Sequence, residues 1–208
     1  MKSIHLSSIV MSLVLSTSWA QEPSPAVYTI DAARSKIEIT VFRDGLLKGM
    51  GHDHTVAAKS FSGEARFNSV NLKDSSVHLS IESGSLVVLD SNVSEKDRKE
   101  IQATMLGAKV LNVNEFPKIL FHSAGVSNAT KTGEDLTLNG RLNLHGVERE
   151  ISFPVQIHQE NNLLRATGMV AIAQTDFGIK PVKAALGTVR VKDQIKVEFD
   201  FLAVRVNP

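Results

Sequence analysis

Cysteine is absent from the 208 residues. The chain therefore has no disulfide framework, no thiolate nucleophile and no Cys-ligated zinc or iron–sulfur centre. Its length is ample to bury a core without such staples. An excess of one charge is also missing, with 23 Lys+Arg against 22 Asp+Glu. That balance provides no basic face for nucleic acid, and no aromatic–basic interleaving marks a single-strand binder. Tryptophan occurs once, as Trp19, and tyrosine once, as Tyr28, a poor endowment for stacking on sugars. The elbow G-x-S-x-G, the zinc motif H-E-x-x-H and a Walker loop are missing, and Gly49-x-Gly51 lacks the third glycine of a dinucleotide fingerprint. What remains is a chain with 42% hydrophobic residues, too apolar for disorder and of a length that suits one domain.

Residues 1–20 read as a secretory leader and stand apart from the fold. Lys2 is their sole formal charge, a mainly apolar stretch runs from Ile9 to Leu15, and Ser18-Trp19-Ala20 places small residues at −3 and −1 of a cleavage before Gln21. The run is shorter than the ~20 apolar residues of a spanning helix, so cleavage is expected rather than a stable membrane span. No Cys follows that could carry a lipid anchor. Without Lys2 the 23 basic residues become 22, equal to the acidic ones, and without Trp19 no tryptophan is left. Residues 21–26, with Pro23 and Pro25, read as an extended lead-in, and 27–208 as the folded domain. A Cys-free exported chain suits a bacterial periplasm or the cell exterior.

Period-two alternation dominates the rest, the mark of half-buried strands. Ile37, Ile39 and Val41 alternate with polar neighbours, as do Val77, Leu79 and Ile81. Leu136, Leu138, Gly140, Leu142 and Leu144 form the longest ladder; Ile151 to Ile157 and Ile195 to Phe201 repeat it. Phe61–Phe67, Ile119–Val126 and Leu163–Ala173 bring the set to about eight strands. His145-Gly146 and Lys131–Glu134 mark tight turns. A single helix is expected, capped by Ser94 with Asp97 three residues on, striped by Ile101, Met105 and Ala108, and over by Phe116-Pro117. Gly45 to Lys59 reads as a loop with at most one helical turn. Alternating strands with one inserted helix make the chain all-β, an antiparallel barrel or sandwich.

In a sandwich two apolar faces fill each other; a small barrel either fills itself or holds one small ligand. Nine Phe supply apolar walls without polar handles. Gly140, Ala166, Gly168, Ala171 and Ala173 interrupt ladders and, where they face inward, leave volume for a ligand or for bulky neighbours. The densest polar cluster is Gly51-His52-Asp53-His54. Two imidazoles two residues apart project to one side of an extended segment, so His52 and His54 could share a metal with a third ligand; equally, they could bond loop backbone at a barrel mouth. Gln174 to Ile179 reads as a rim segment or an end plug carrying Phe177. Lys180, Lys183, Arg190 and Lys192 read as a solvated rim.

Several segments resemble the YceI-like family. Tyr28-Thr29-Ile30-Asp31 with Arg34 to Ile39 is similar to its opening strand pair, and Phe116-Pro117-Lys118-Ile119-Leu120-Phe121-His122-Ser123 to its FP-x-I-x-F-x-S segment. Leu136 to Gly140 with Leu142 to Val147 is similar to its G-x-L-x-L-x-G-V hairpin, and Asp176-Phe177-Gly178-Ile179 to its DFGI element. The chain departs from the pattern at Arg34-Ser35, where His-Ser is common, and in the helix. The resemblance implies a periplasmic, lipocalin-like antiparallel barrel around an isoprenoid or similar long amphiphile.

On this reading the chain is a carrier and not an enzyme, and it uses no cofactor. Its partner is an apolar ligand of isoprenoid, quinone or fatty-acid type, and two barrels could pair as a homodimer through an edge or rim. The residues expected on the cavity wall or rim are Phe42, His54, Phe61, Phe67, Leu79, Phe121, Leu138, Phe153, Phe177 and Phe199. The alternatives are a metal binder or metal-dependent enzyme using His52 and His54, and a structural or stress-related periplasmic protein with a filled barrel.

Overall fold

The computed structural model describes residues 24–44, 53–130, 134–184 and 189–206. Twelve strands form one antiparallel sheet, and several are halves of a longer strand. β1 (Ala26–Ile30) and β2 (Lys36–Asp44) both run along β12 (Val189–Arg205), from Arg205 down to Arg190. They make one strand, broken at residues 31–35. β3 (His54–Ala58) and β4 (Phe61–Phe67) are one strand broken at Lys59 and Ser60, and β5 (Ser76–Glu82) and β6 (Leu86–Val88) one broken at Ser83–Ser85. With β7 (Lys118–Ser127), β8 (Asp135–Leu144), β9 (Val147–Glu160), β10 (Leu163–Ala173) and β12, the result is a closed up-and-down barrel of eight strands. β11 (Lys183–Ala184) adds a short ladder at the start of β12.

Each break strands peptide groups that a neighbour must satisfy, because buried backbone donors and acceptors are costly when unpaired. At the first break the Ser35 hydroxyl accepts from the Leu202 N–H at 2.9 Å and donates to the Leu202 carbonyl at 3.3 Å. At the second, the Ser60 N–H donates to Ser85 Oγ at 3.0 Å, and that hydroxyl donates back to the Ser60 carbonyl at 3.2 Å. At the third, the Ser83 N–H donates to the Pro117 carbonyl at 2.8 Å. Serines thus replace ladder bonds where the wall bends.

The ring is incomplete at one end. β6 pairs with β3 and β7 with β5, so β6 presents an edge toward β7. The ladder between β9 and β10 stops at Val155 and Gly168. α1 (Glu95–Leu106) covers the first gap. Ser94 caps it, its hydroxyl accepting from the Asp97 N–H at 3.1 Å. Gln102 then stands in for a neighbouring strand: its carbonyl accepts from the Val88 N–H at 2.8 Å and its amide donates to the Leu86 carbonyl at 2.7 Å. The second gap receives the 3-10 turn Gln174–Phe177. Gln174 donates its side-chain amide hydrogens to the carbonyls of Lys192 at 2.8 Å and Asp193 at 3.3 Å, inside a bulge of β12 between Val191 and Ile195. Asp193 answers by accepting from the Thr175 hydroxyl at 2.6 Å and the Thr175 N–H at 2.9 Å. Those bonds hold its carboxyl below the ordinary carboxylate range. On the outer wall, the Arg165 guanidinium grips Asp200 with two bonds of 2.8 and 2.6 Å and lowers that carboxyl in the same way.

Alternation located most strands, but two expectations are corrected. His54–Ala58 is a strand rather than part of a loop. Val56, Ala57 and Ala58 are all buried, so both faces of β3 are covered and no alternation betrays it. The helix ends at Leu106, before Phe116-Pro117 as expected but also before Ala108. After Gly107 the chain turns back on the helix end, Leu111 N–H donating to the Met105 carbonyl and Val113 N–H to that of Leu106, with Asn112 at φ 44°. Ala108 therefore lies beyond the stripe that Ile101 and Met105 present to the core. The β8–β9 turn has positive φ at both central residues, His145 (54°) and Gly146 (73°), the geometry whose twist matches a two-residue hairpin. Residues 1–20, 45–52 and 131–133, which hold the expected leader, most of the Gly51–His54 cluster's loop and the β7–β8 turn, lie outside the described residues.

Two expected outcomes follow from these tethers. Gln102→Met keeps the shape but leaves the Val88 N–H and the Leu86 carbonyl unpaired, at about 1–3 kcal/mol for a buried group; the urea midpoint should fall accordingly. Asp193 and Asp200 have folded pKa values below the unfolded value of about 3.9, so their stabilisation is complete above that pH and is lost as pH falls through the depressed values. Asp193→Asn should be less stable at neutral pH yet lose less stability than the parent between about pH 5 and pH 3, measured by urea unfolding at each pH.

Candidate functional site

Inward parity can be read along every strand. Ile37, Ile39 and Val41 on β2, Val77, Leu79 and Ile81 on β5, Leu136 and Leu138 on β8, and Ile195, Val197, Phe199 and Phe201 on β12 all face the barrel axis. In a filled barrel such side chains would be buried. Here Leu79, Leu138, Val197, Phe199 and Phe201 remain half-buried although they point inward, because they border a void. The cavity is about 270 Å³, larger than the ~150 Å³ apolar cavity that accommodates benzene in an engineered protein.

Its wall is almost wholly hydrocarbon. The exceptions are Arg66, Ser75 and Ser76 at the ends of β4 and β5 and Gln174 beyond the end of β10. Arg66 is exposed and lies 3.4 Å from Glu64. A continuous chain of rings crosses the interior: Phe121 to Phe153 at 5.6 Å, Phe153 to Phe199 at 5.8 Å, Phe199 stacked on Phe201 at 5.1 Å, and Phe201 to Phe61 at 5.9 Å. Glycine makes room for two of them. A Cβ at Gly140 would lie 2.4 Å from the Phe121 ring and one at Gly168 2.5 Å from that of Phe199. Bulky neighbours thus fill the space of these two small residues, whereas Ala166 borders the cavity. Ala171 and Ala173, opposite in parity to Ile172, belong to the outer face.

The side chains expected at the site divide by position. Phe67, Leu79, Phe121, Leu138, Phe153 and Phe199 line the cavity. Phe61 shares the inward parity of Ala65 and Phe67 but is buried against Phe201 rather than bordering the void. Phe177 is 1% exposed in the end turn, its carbonyl 3.3 Å from His145 Nδ1; with the Phe116 ring 4.6 Å from His145, it closes that end rather than lining it. Phe42 is a correction: it shares the outer face with Thr40, under Lys192 Nζ at 5.7 Å, because its parity is opposite to that of Val41. His54, the first residue of β3, lies opposite Val41 and shares the parity of Val56, but does not itself line the cavity. Its Nδ1 lies 2.6 Å from Asp90 Oδ2, while Asp90 Oδ1 accepts from the Thr55 N–H at 2.8 Å.

His52 lies outside the described residues, and among those described no three His, Asp or Glu side chains gather closely enough to hold a metal. His78 and His122 pair across β5 and β7 on the outside, Nδ1 to Nδ1 at 2.5 Å. Of the expected cationic rim, Arg190 is bonded to Asp44 at 3.0 Å. Phe201 and Gln174 were absent from the expected set. Strand parity could have found both, since Phe201 follows Phe199 and Gln174 follows Ile172 at intervals of two.

Comparison with known proteins agrees with this architecture. A UPF0312 protein of Shewanella oneidensis is 30% identical over 164 residues, 76% of this chain and 78% of that one. One from Shewanella baltica is 29% identical over 187 residues, 86% and 89% of the two chains. Among solved structures, BcnA of Burkholderia cenocepacia superposes with a TM-score of 0.68 at 20% identity, covering 84% of this chain and 99% of its own. A domain of Saccharophagus degradans described as polyisoprenoid-binding gives 0.61 at 12% identity, covering 88% and 99%. The model of the YceI-like domain matches residues 28–203, from the first barrel strand to the last, and the chain belongs to that family.

Proposed function

We propose that this protein is a carrier that encloses the chain of an isoprenoid or other long apolar amphiphile, and that it does so outside the cytoplasm. The observation that carries the reading is the half-burial of inward-facing Leu79, Leu138, Val197, Phe199 and Phe201 around a hydrocarbon-walled void. Those side chains have already left bulk water without gaining full packing, so a ligand gains what they lack. Each CH₂ transferred into the cavity contributes about 0.8 kcal/mol, offset by the cost of ordering the chain. The polyisoprenoid-binding description of the Saccharophagus degradans domain supports the same ligand class.

A binding role fits the chemistry of the wall better than catalysis. Among the described lining residues the titratable side chain is Arg66, at one end, and the hydroxyls of Ser75 and Ser76 beside it have no His, Asp or Glu in the lining to activate them. The leader-like residues 1–20 support export to the periplasm or beyond. Among the described residues no helix is long and apolar enough to cross a membrane.

Protein purified from its own source should carry an adduct in native mass spectrometry that organic extraction removes; an adduct-free protein would sink the proposal. Ala166→Phe projects a ring into the cavity and should abolish that adduct while the far-UV spectrum is kept.

A further inference from the structure

Among the described residues Gln174 is the one polar side chain at the covered end of the cavity wall, and it is 7% exposed. Its orientation is fixed. Only the amide nitrogen can face two carbonyls, and those of Lys192 and Asp193 lie 2.8 and 3.3 Å from Nε2. Both donors are thus spent on the β12 bulge. The residue lines the cavity, and no described residue donates to its side-chain oxygen. A buried carbonyl with no donor is an unusual feature that needs a cause. It is also built in: Gln174 continues the inward parity of Val170 and Ile172, and Asp193 secures the turn through Thr175.

Resting on the reading of the barrel as an apolar-chain carrier, we infer that Gln174 Oε1 is the headgroup acceptor. The cavity takes an amphiphile whose head is a neutral hydrogen-bond donor, an alcohol or a phenol, with that hydroxyl on Gln174 and the chain running toward Phe67. The complementary exclusion is of anionic heads. Among the described residues the lining cation is Arg66, at the far end from Gln174, and a carboxamide oxygen facing a phosphate sets two acceptors together without a proton between them. The cavity volume sets the probe. Scaling from benzene in ~150 Å³, 270 Å³ holds about eleven non-hydrogen atoms, the size of geraniol.

Delipidated protein is titrated calorimetrically with geraniol, geranyl methyl ether and geranyl phosphate. Geraniol should bind about tenfold more tightly than the ether, which cannot donate, and the phosphate more weakly than either. In Gln174→Met the alcohol-to-ether ratio should fall to about one while ether binding persists. An ether bound as tightly as geraniol, a phosphate bound most tightly, or a ratio unchanged in Gln174→Met overturns the inference and leaves the carrier reading intact. Binding of none of the probes overturns both. Should Gln174→Met fail to fold, the ligand series on the unaltered protein decides.

Discussion

Closure on β12 is the constraint from which the rest of the structure follows. A sheet rolled into a ring must pair its last strand with its first, and here β12 meets β10 on one side and both β1 and β2 on the other. A ring of eight strands leaves an interior only just wide enough for side chains or one small ligand. The three opening strands reach around that ring by breaking, and each break frees peptide groups that serine hydroxyls or a neighbouring carbonyl then bond. Breaking also takes the second half of the third strand, β6, out of register with β7, although β2, β3 and β6 stay joined to β12. That leaves β6 with an edge, which Gln102 of α1 satisfies in place of a strand. On the far side, β9 and β10 part at Gly168, and the Gln174–Phe177 turn occupies the space. Both covers are therefore answers to one demand, that every buried peptide group be paired.

The interior departs from the usual close packing of protein cores. Five Phe rings form a chain across it, with glycines beneath two of them, so part of the volume is filled by rings in contact. Beside the rings the wall is lined but not filled. Branched and aromatic side chains that are half-buried while pointing inward are poorly placed for stability and well placed for binding, because their remaining contacts await a partner. The distribution of polarity sharpens this. The Arg165–Asp200 pair lies outside, and the inner wall carries its polar atoms, Arg66 among them, at its ends.

Much of the candidate site was legible because a strand has a period of two. Once Leu136 and Leu144 point inward, Leu138 must as well, and the same rule places Phe121, Phe153 and Phe199. Phe42 breaks the expectation by the same rule, since Val41 beside it holds the inward position and turns Phe42 outward. His54 stands two residues from His52 in sequence. Its partner is Asp90, 36 positions away, and no local pattern announces a bond across that distance. Gln174 stood at the right parity, yet a polar residue at the end of an apolar ladder reads as the start of a loop.

By itself the sequence determined the all-β class, the strands that alternate, the helix start at Ser94, the turn at His145-Gly146 and the family resemblance, since each depends on neighbours within a few positions. The tertiary structure alone decided that the sheet closes, which strands break, that β3 exists, and that the interior is partly void. Those properties depend on pairings between distant segments and on how much volume side chains from opposite walls fill, and neither quantity is written in any local stretch of chain.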